Sequence, residues 1–206
     1  MDPQWLDWAK RLQAIAQTGI AFSKDHYDTE RYEAVRHIDA ELLGAGTEAA
    51  SIEPIVDLLS RDKGYATPKV DVRAAVIQQG QILLVKEAED GGWSLPGGWA
   101  DVGDVPSLAV AREVREESGF QVVARKLAAV LDRNLHGHPF FPFHAYKFFF
   151  LCDLQGGEAT PSYETDGVGF FNEDALPPLS LTRVMPAQIA LMFEHYRNPG
   201  KPTTFD

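Results

Sequence analysis

The chain has 206 residues, 45% of them hydrophobic and 24% charged, and carries a formal charge of −11. That composition provides for a packed core and excludes a disordered chain, while the acidic balance argues against broad contact with nucleic-acid backbone. No run approaches the roughly 18 uninterrupted apolar residues of a membrane span, and a single cysteine, Cys152, excludes an internal disulfide.

The opening MDPQWLDWAK has neither the basic start nor the apolar stretch of a secretory leader. A soluble, cytoplasmic protein with no membrane partner is therefore expected. Residues 1–66 read as a small all-helical domain. Trp5, Trp8, Leu12 and Ile15 recur at helical spacing, with Gly19 as the stop. A second helix is predicted from about Asp28, carrying Tyr32, Val35 and Ile38 and ending before Gly44 and Gly46. A third starts at Pro54, a favoured first-turn residue, and carries Ile55, Leu58 and Leu59. The apolar stripe of the first helix needs a partner surface, which the domain over residues 67–206 or a second copy of the chain, in a homodimer, would supply.

From Val70 the period changes from helix to strand. Val70, Val72, Ala74 and Val76 alternate, Gln79-Gly80 turns, and Ile82 to Val85 returns. Further strands are predicted over 121–131, 145–153 and 167–171, with helices at about 106–118 and 186–197. The predicted fold class is α/β: an α/β/α sandwich on a mixed sheet over residues 67–206, preceded by the helical domain.

Gly97-Gly98-Trp99-Ala100-Asp101-Val102-Gly103-Asp104 forms a glycine-rich loop after a strand, and the following helix ends in Arg112-Glu113-Val114-Arg115-Glu116-Glu117-Ser118-Gly119. Pro106 suits the first helical turn and Gly119 a left-handed cap. Glu113, Glu116 and Glu117 stand at i, i+3 and i+4, hence on one face, where three carboxylates repel one another. A hard divalent cation would offset that repulsion, polarise a phosphoryl group and activate water. The alternative is a solvated acidic face balanced by Arg112 and Arg115.

This stretch resembles the Nudix box: Gly, five residues, Glu, seven residues, Arg-Glu, an aliphatic residue, any residue, Glu-Glu, any residue, Gly and an apolar residue. Gly98, Arg112, Glu113, Val114, Glu116, Glu117, Gly119 and Phe120 match it in register, and Trp93-Ser94-Leu95-Pro96 resembles the family's approach to the loop. The resemblance implies hydrolysis of the diphosphate linkage of a small-molecule nucleotide conjugate, with Mg²⁺ or Mn²⁺ as cofactor. It implies Glu116 and Glu117 as metal ligands, Glu113 as ligand or general base, and the Gly97 carbonyl in the metal shell. Arg112 would orient the glutamates. Asp104 stands where the box has its first Glu, one methylene shorter. Asp serves there if the position supports the helix start, but the site is weakened if it must reach the metal. An additional carboxylate outside the box is expected from Glu164 or Asp166.

Gln13–Gly19, Glu30–Glu33 and Thr67–Arg73 resemble a Nudix subgroup with a small N-terminal helical domain, which includes CDP-choline pyrophosphatases and proteins labelled ADP-ribose pyrophosphatases. The substrate expected is CDP-choline, with ADP-ribose as alternative. A non-catalytic nucleotide sensor and an RNA-end hydrolase are the readings from other classes. Intact Glu113, Glu116 and Glu117 speak against the first, and the charge of −11 against the second. The segment 132–144 is a candidate substrate loop. Arg133 and Lys147 are candidate phosphate contacts. Trp99, His136, Phe141, Phe143 and Tyr146 are candidate substrate contacts, with the aromatic faces suited to a quaternary ammonium.

Overall fold

The computed structural model describes residues 3–206, which divide into two compact units. One holds the chain through Pro68 together with Phe141–His144; the other holds Lys69–Phe140 and Ala145–Asp206. No helix among the described residues is long and apolar enough to cross a membrane.

The first unit is built from helices α1 (Gln4–Phe22), α2 (His26–Thr47) and α3 (Glu53–Ser60). The Asp25 side chain caps α2 by accepting from the Asp28 N–H at 2.9 Å. The glycines expected to end helices, Gly19, Gly44 and Gly46, lie inside them, and two of these meet aromatic rings. A Cβ on Gly19 would sit 2.3 Å from the Tyr32 ring, and one on Gly46 would sit 2.4 Å from the Trp5 ring. Gly19 and Gly46 each make room for an aromatic ring from the neighbouring helix, and that packing outweighs their poor helix propensity. The buried face of α1 also differs from the expected stripe. Leu6, Ala9, Gln13, Ala16 and Gln17 face inward, while Trp8 and Ile15 are 49% and 55% exposed.

The second unit is a mixed sheet between two helices. Its strands are β1 (Lys69–Gln78), β2 (Gln81–Glu87), β3 (Trp93–Ser94), β4 (Phe120–Asp132), β5 (Ala145–Gly157), β6 (Thr165–Asn172) and β7 (Thr204–Phe205). The order is β3-β2-β1-β5-β4-β7, and β6 pairs with β2. β1 runs parallel to β5 and antiparallel to β2. The β1–β2 turn places both Gln79 and Gly80 at positive φ, the backbone of a tight two-residue hairpin.

Alternate residues of β1 and β5 feed opposite faces. Val72, Ala74, Val76, Phe150 and Cys152 pack with Val110 and Val114 of α4 (Pro106–Ser118). Ala75, Phe149 and Leu151 pack with Ile189, Met192 and Phe193 of α5 (Pro186–Arg197). This is the α/β/α layering expected from the sequence. The strand expected before the glycine loop is β3, only two residues long; β7 was not anticipated, since a pair so short carries no periodicity.

In the helical unit Asp39 is fully buried, and neither carboxylate oxygen has a hydrogen-bond partner. Burial alone pushes its pKa up to about 7. A raised carboxyl favours folding most below its unfolded pKa of 3.8, and that advantage is lost as pH rises through about 7. Asp39→Asn should therefore melt higher than wild type at pH 8, by a difference on the order of a few kcal/mol that narrows toward pH 5. Thermal melts across that range would show it; a pH-independent difference would contradict it.

Candidate active site

The loop between β3 and α4 is stitched along β1. Ala74 N–H donates to Pro96 O at 2.9 Å, Val72 N–H to Gly98 O at 2.8 Å, and Ala100 N–H to Val70 O at 2.9 Å. Gly97 has a φ of 143°, and a Cβ there would lie 2.0 Å from Val72 O, so no other residue fits against the strand. At Gly98 a Cβ would fall 2.8 Å from Glu113 Oε2. The absent side chain is the space that the Glu113 carboxylate needs.

Pro106 occupies the first turn of α4, and Gly119, at φ 76°, caps its end in the left-handed conformation. Val110 and Val114 bury one face and leave the glutamates toward the loop. Glu117 Oε2 accepts from Gly97 N–H at 2.8 Å. Burial pushes the Glu117 pKa up to about 8; Arg73 and the Gly97 N–H oppose the rise, and Glu87 and Glu113 add to it. Glu113 is raised first by burial and further by Glu116 and Glu164, against Arg112 and Arg73. Glu116 is more open, its side chain 58% exposed against 13% for Glu113.

Arg112 holds the outer edge. It lies 2.8 Å from Glu113 Oε1, 3.1 Å from Glu116 Oε2 and 3.1 Å from Asp104 Oδ2. Asp104 also accepts from Asp101 N–H at 3.0 Å, and this bond, with Arg112, holds its pKa below the ordinary carboxylate range. Asp104 thus braces the loop and Arg112 together, a task that its shorter side chain performs. Thr165 Oγ1 donates to Glu117 O at 2.7 Å and docks the start of β6 at the end of α4. Glu164 is thereby close enough for its charge to act on Glu113. Asp166 is an exposed residue of β6.

Among the described residues no three His, Cys, Asp or Glu side chains already stand in the arrangement of a metal shell. The donor set nevertheless fits a hard cation. Glu113 and Glu117 are oxygen donors, desolvated and mutually repelling, and a divalent ion would neutralise both.

The other predicted contacts divide. Lys147 and Arg133 were expected to meet phosphate, but both are interior. Lys147 is 1% exposed and bonded to Asp71, its neighbour in register across β1 and β5. Arg133 donates to Pro139 O at 2.9 Å. His136 pairs with the Asp206 carboxylate at 2.9 Å. Phe141 and Phe143 form an edge-to-face pair, their centroids 5.6 Å apart, in the helical unit. Trp99 and Tyr146 belong to the sheet unit, and both are partly exposed.

Sequence reading missed Asp71, Arg73 and Glu87, all buried. Arg73 donates through Nε to Asp71 at 2.8 Å and through Nη1 to Leu95 O at 3.0 Å, and Ser94 donates to Glu87. The available signal was a charged residue within each apolar strand, Asp71 and Arg73 in β1 and Glu87 closing β2.

The family model described as the NUDIX domain matches residues 67–192, the span that contains this loop, helix and sheet. The chain belongs to the Nudix family. A second model, described as a UDP-X-like, N-terminal oligomerisation domain, matches residues 3–59 of this Nudix hydrolase. The Bacillus subtilis protein named "Putative ADP-ribose pyrophosphatase YjhB" is 47% identical over 203 residues, covering 98% of this chain and 97% of that one. A solved ADP-ribose pyrophosphatase from Streptococcus suis is 46% identical with a TM-score of 0.63, and covers 68% of this chain and all of its own. A solved UDP-X diphosphatase is 33% identical with a TM-score of 0.64, and 98% of each chain is covered.

The two loop glycines should respond differently to alanine. Gly97→Ala meets backbone and should destabilise the Nudix unit by about 2 kcal/mol or more. Gly98→Ala meets only a side-chain carboxylate and should fold with a near wild-type melting temperature, while displacing Glu113 and lowering turnover about tenfold or more. Melting curves beside steady-state rates test both; a fully active Gly98→Ala enzyme would show that the position of Glu113 is unimportant.

Proposed function

We propose that this Nudix hydrolase cleaves the diphosphate linkage of a nucleoside diphosphate joined to a second group, with Mg²⁺ or Mn²⁺ as cofactor. The observation that carries this reading is the pair of desolvated carboxylates, Glu113 and Glu117, held against Gly97 and Gly98. Glu113, Glu116, Glu117 and the Gly97 carbonyl would hold the ion. When bound, the ion polarises the phosphoryl group and lowers the pKa of water. Arg112 keeps Glu113 and Glu116 in place through its ion pairs. Glu164, whose charge acts on Glu113, is favoured over Asp166 as the further carboxylate.

The preferred substrate in this reading is CDP-choline, taken with one water to CMP and phosphocholine. Trp99 supports it: the ring is partly exposed directly after the two loop glycines, and an aromatic face holds a quaternary ammonium with about 0.5–2 kcal/mol. The net charge of −11 favours a conjugate with a cationic end. ADP-ribose is the second reading, favoured by the names of the Bacillus and Streptococcus relatives.

Comparing kcat/KM for CDP-choline, CDP-ethanolamine and ADP-ribose decides between them. The methylated amine should be preferred, and Glu117→Gln should cost about 10²-fold or more on every substrate. A clear preference for ADP-ribose would defeat the choline reading, and an undiminished Glu117→Gln enzyme would defeat the metal reading.

A homodimer belongs to the same proposal. Trp8, Ile15 and Phe22 repeat every seven residues along α1 and are all exposed, and the matching N-terminal model is described as an oligomerisation domain. A sedimentation mass of one chain would contradict it.

A further inference from the structure

The proposed ligands sit on a loop whose inner side rests on a buried ionic chain. Lys147 on β5 holds one oxygen of Asp71, and Arg73 Nε holds the other at 2.8 Å. From the same guanidinium, Nη1 donates to Leu95 O at 3.0 Å. Leu95 lies two residues before Gly97, whose N–H is bound to Glu117. The Arg73 backbone presses on the same place, its Cα 2.9 Å from where a Gly97 Cβ would be. All three charged side chains are almost wholly buried.

Burying an arginine is costly unless its donors are used. An apolar residue at position 73 would pack on this face, as Ala75 and Phe149 do. What an apolar residue cannot do is grip a carboxylate and a backbone carbonyl at once. A lysine cannot do so in the same way either, because its single ammonium lacks the rigid planar fork.

We propose that Arg73 is a positioning residue of the hydrolytic site, a fork that fixes the Leu95–Gly97 backbone so that Gly97 and Glu117 meet a divalent cation in one geometry. Arg73 acts through the loop and touches neither substrate nor metal. Its requirement is for shape as well as charge, which separates it from a simple counter-ion. The metal half of this inference rests on the reading of Glu113 and Glu117 as ligands; the loop half does not.

The test compares wild type with Arg73→Lys and Arg73→Met, without substrate, after circular dichroism has confirmed folding. Mn²⁺ affinity is read by electron paramagnetic resonance, and amide exchange is read on the peptide covering Gly97 and Gly98. Both variants should bind Mn²⁺ roughly tenfold more weakly or worse, the range seen when partners behind metal ligands are removed, and the Gly97 amide should exchange faster. Should Arg73→Met not fold, Arg73→Lys decides alone. An Arg73→Lys protein with wild-type Mn²⁺ affinity and wild-type exchange overturns the proposal. Amide exchange needs no metal, so it judges the fork even were wild type to bind no Mn²⁺, the result that would instead defeat the metal reading.

Discussion

A carboxylate taken out of water must be given something in place of that water. Glu117 is buried at the end of α4, and its fixed partner is one N–H, that of Gly97. The charges that act on it most are one cation, Arg73, and two further carboxylates, Glu87 and Glu113. Arg73 is already shared with Asp71. Burial is what chiefly raises the pKa of Glu117; Arg73 and the Gly97 N–H oppose that rise, and Glu87 and Glu113 add to it. In the proposed reading a divalent cation would replace the lost water as partner to these carboxylates, and Gly97, Gly98 and Arg112 restrict where the glutamates stand.

Backbone does much of that work. β1 lends alternate N–H groups, those of Ala74 and Val72, to the carbonyls of Pro96 and Gly98, so the loop extends the sheet and does not wander above it. Gly97 permits the close approach to β1, and Gly98 leaves room for Glu113. On the solvent side, Arg112 gathers Asp104, Glu113 and Glu116. On the interior side, Asp71, Arg73 and Lys147 hold the strand face. The exposed ion pairs contribute little stability individually; their effect is to restrict where the glutamates point.

The site's chemistry was legible because it is local. Glutamates at i, i+3 and i+4 share a helix face whatever surrounds them, and a glycine loop followed by Pro106 announces the helix start. The strands were legible from alternation, and their layering followed. What could not be read depends on partners distant in sequence. Gly19 and Gly46 look like helix stops until the rings of Tyr32 and Trp5 are placed on them. Lys147 and Arg133 look like phosphate contacts because a basic side chain carries no mark of its burial. Arg73 gains its meaning only from Leu95, 22 residues away, and from Asp71 paired with Lys147 across two strands.

The proposed place of the divalent cation is formed by Glu113, Glu116, Glu117 and the Gly97 carbonyl. Anomalous diffraction from a crystal of the protein grown with Mn²⁺ would locate the ion. An anomalous peak is expected bonded to carboxylate oxygens of Glu113, Glu116 and Glu117, with Gly97 O in the same shell. A well-ordered helix α4 with no peak at those glutamates, or with Mn²⁺ bound only elsewhere, would contradict it.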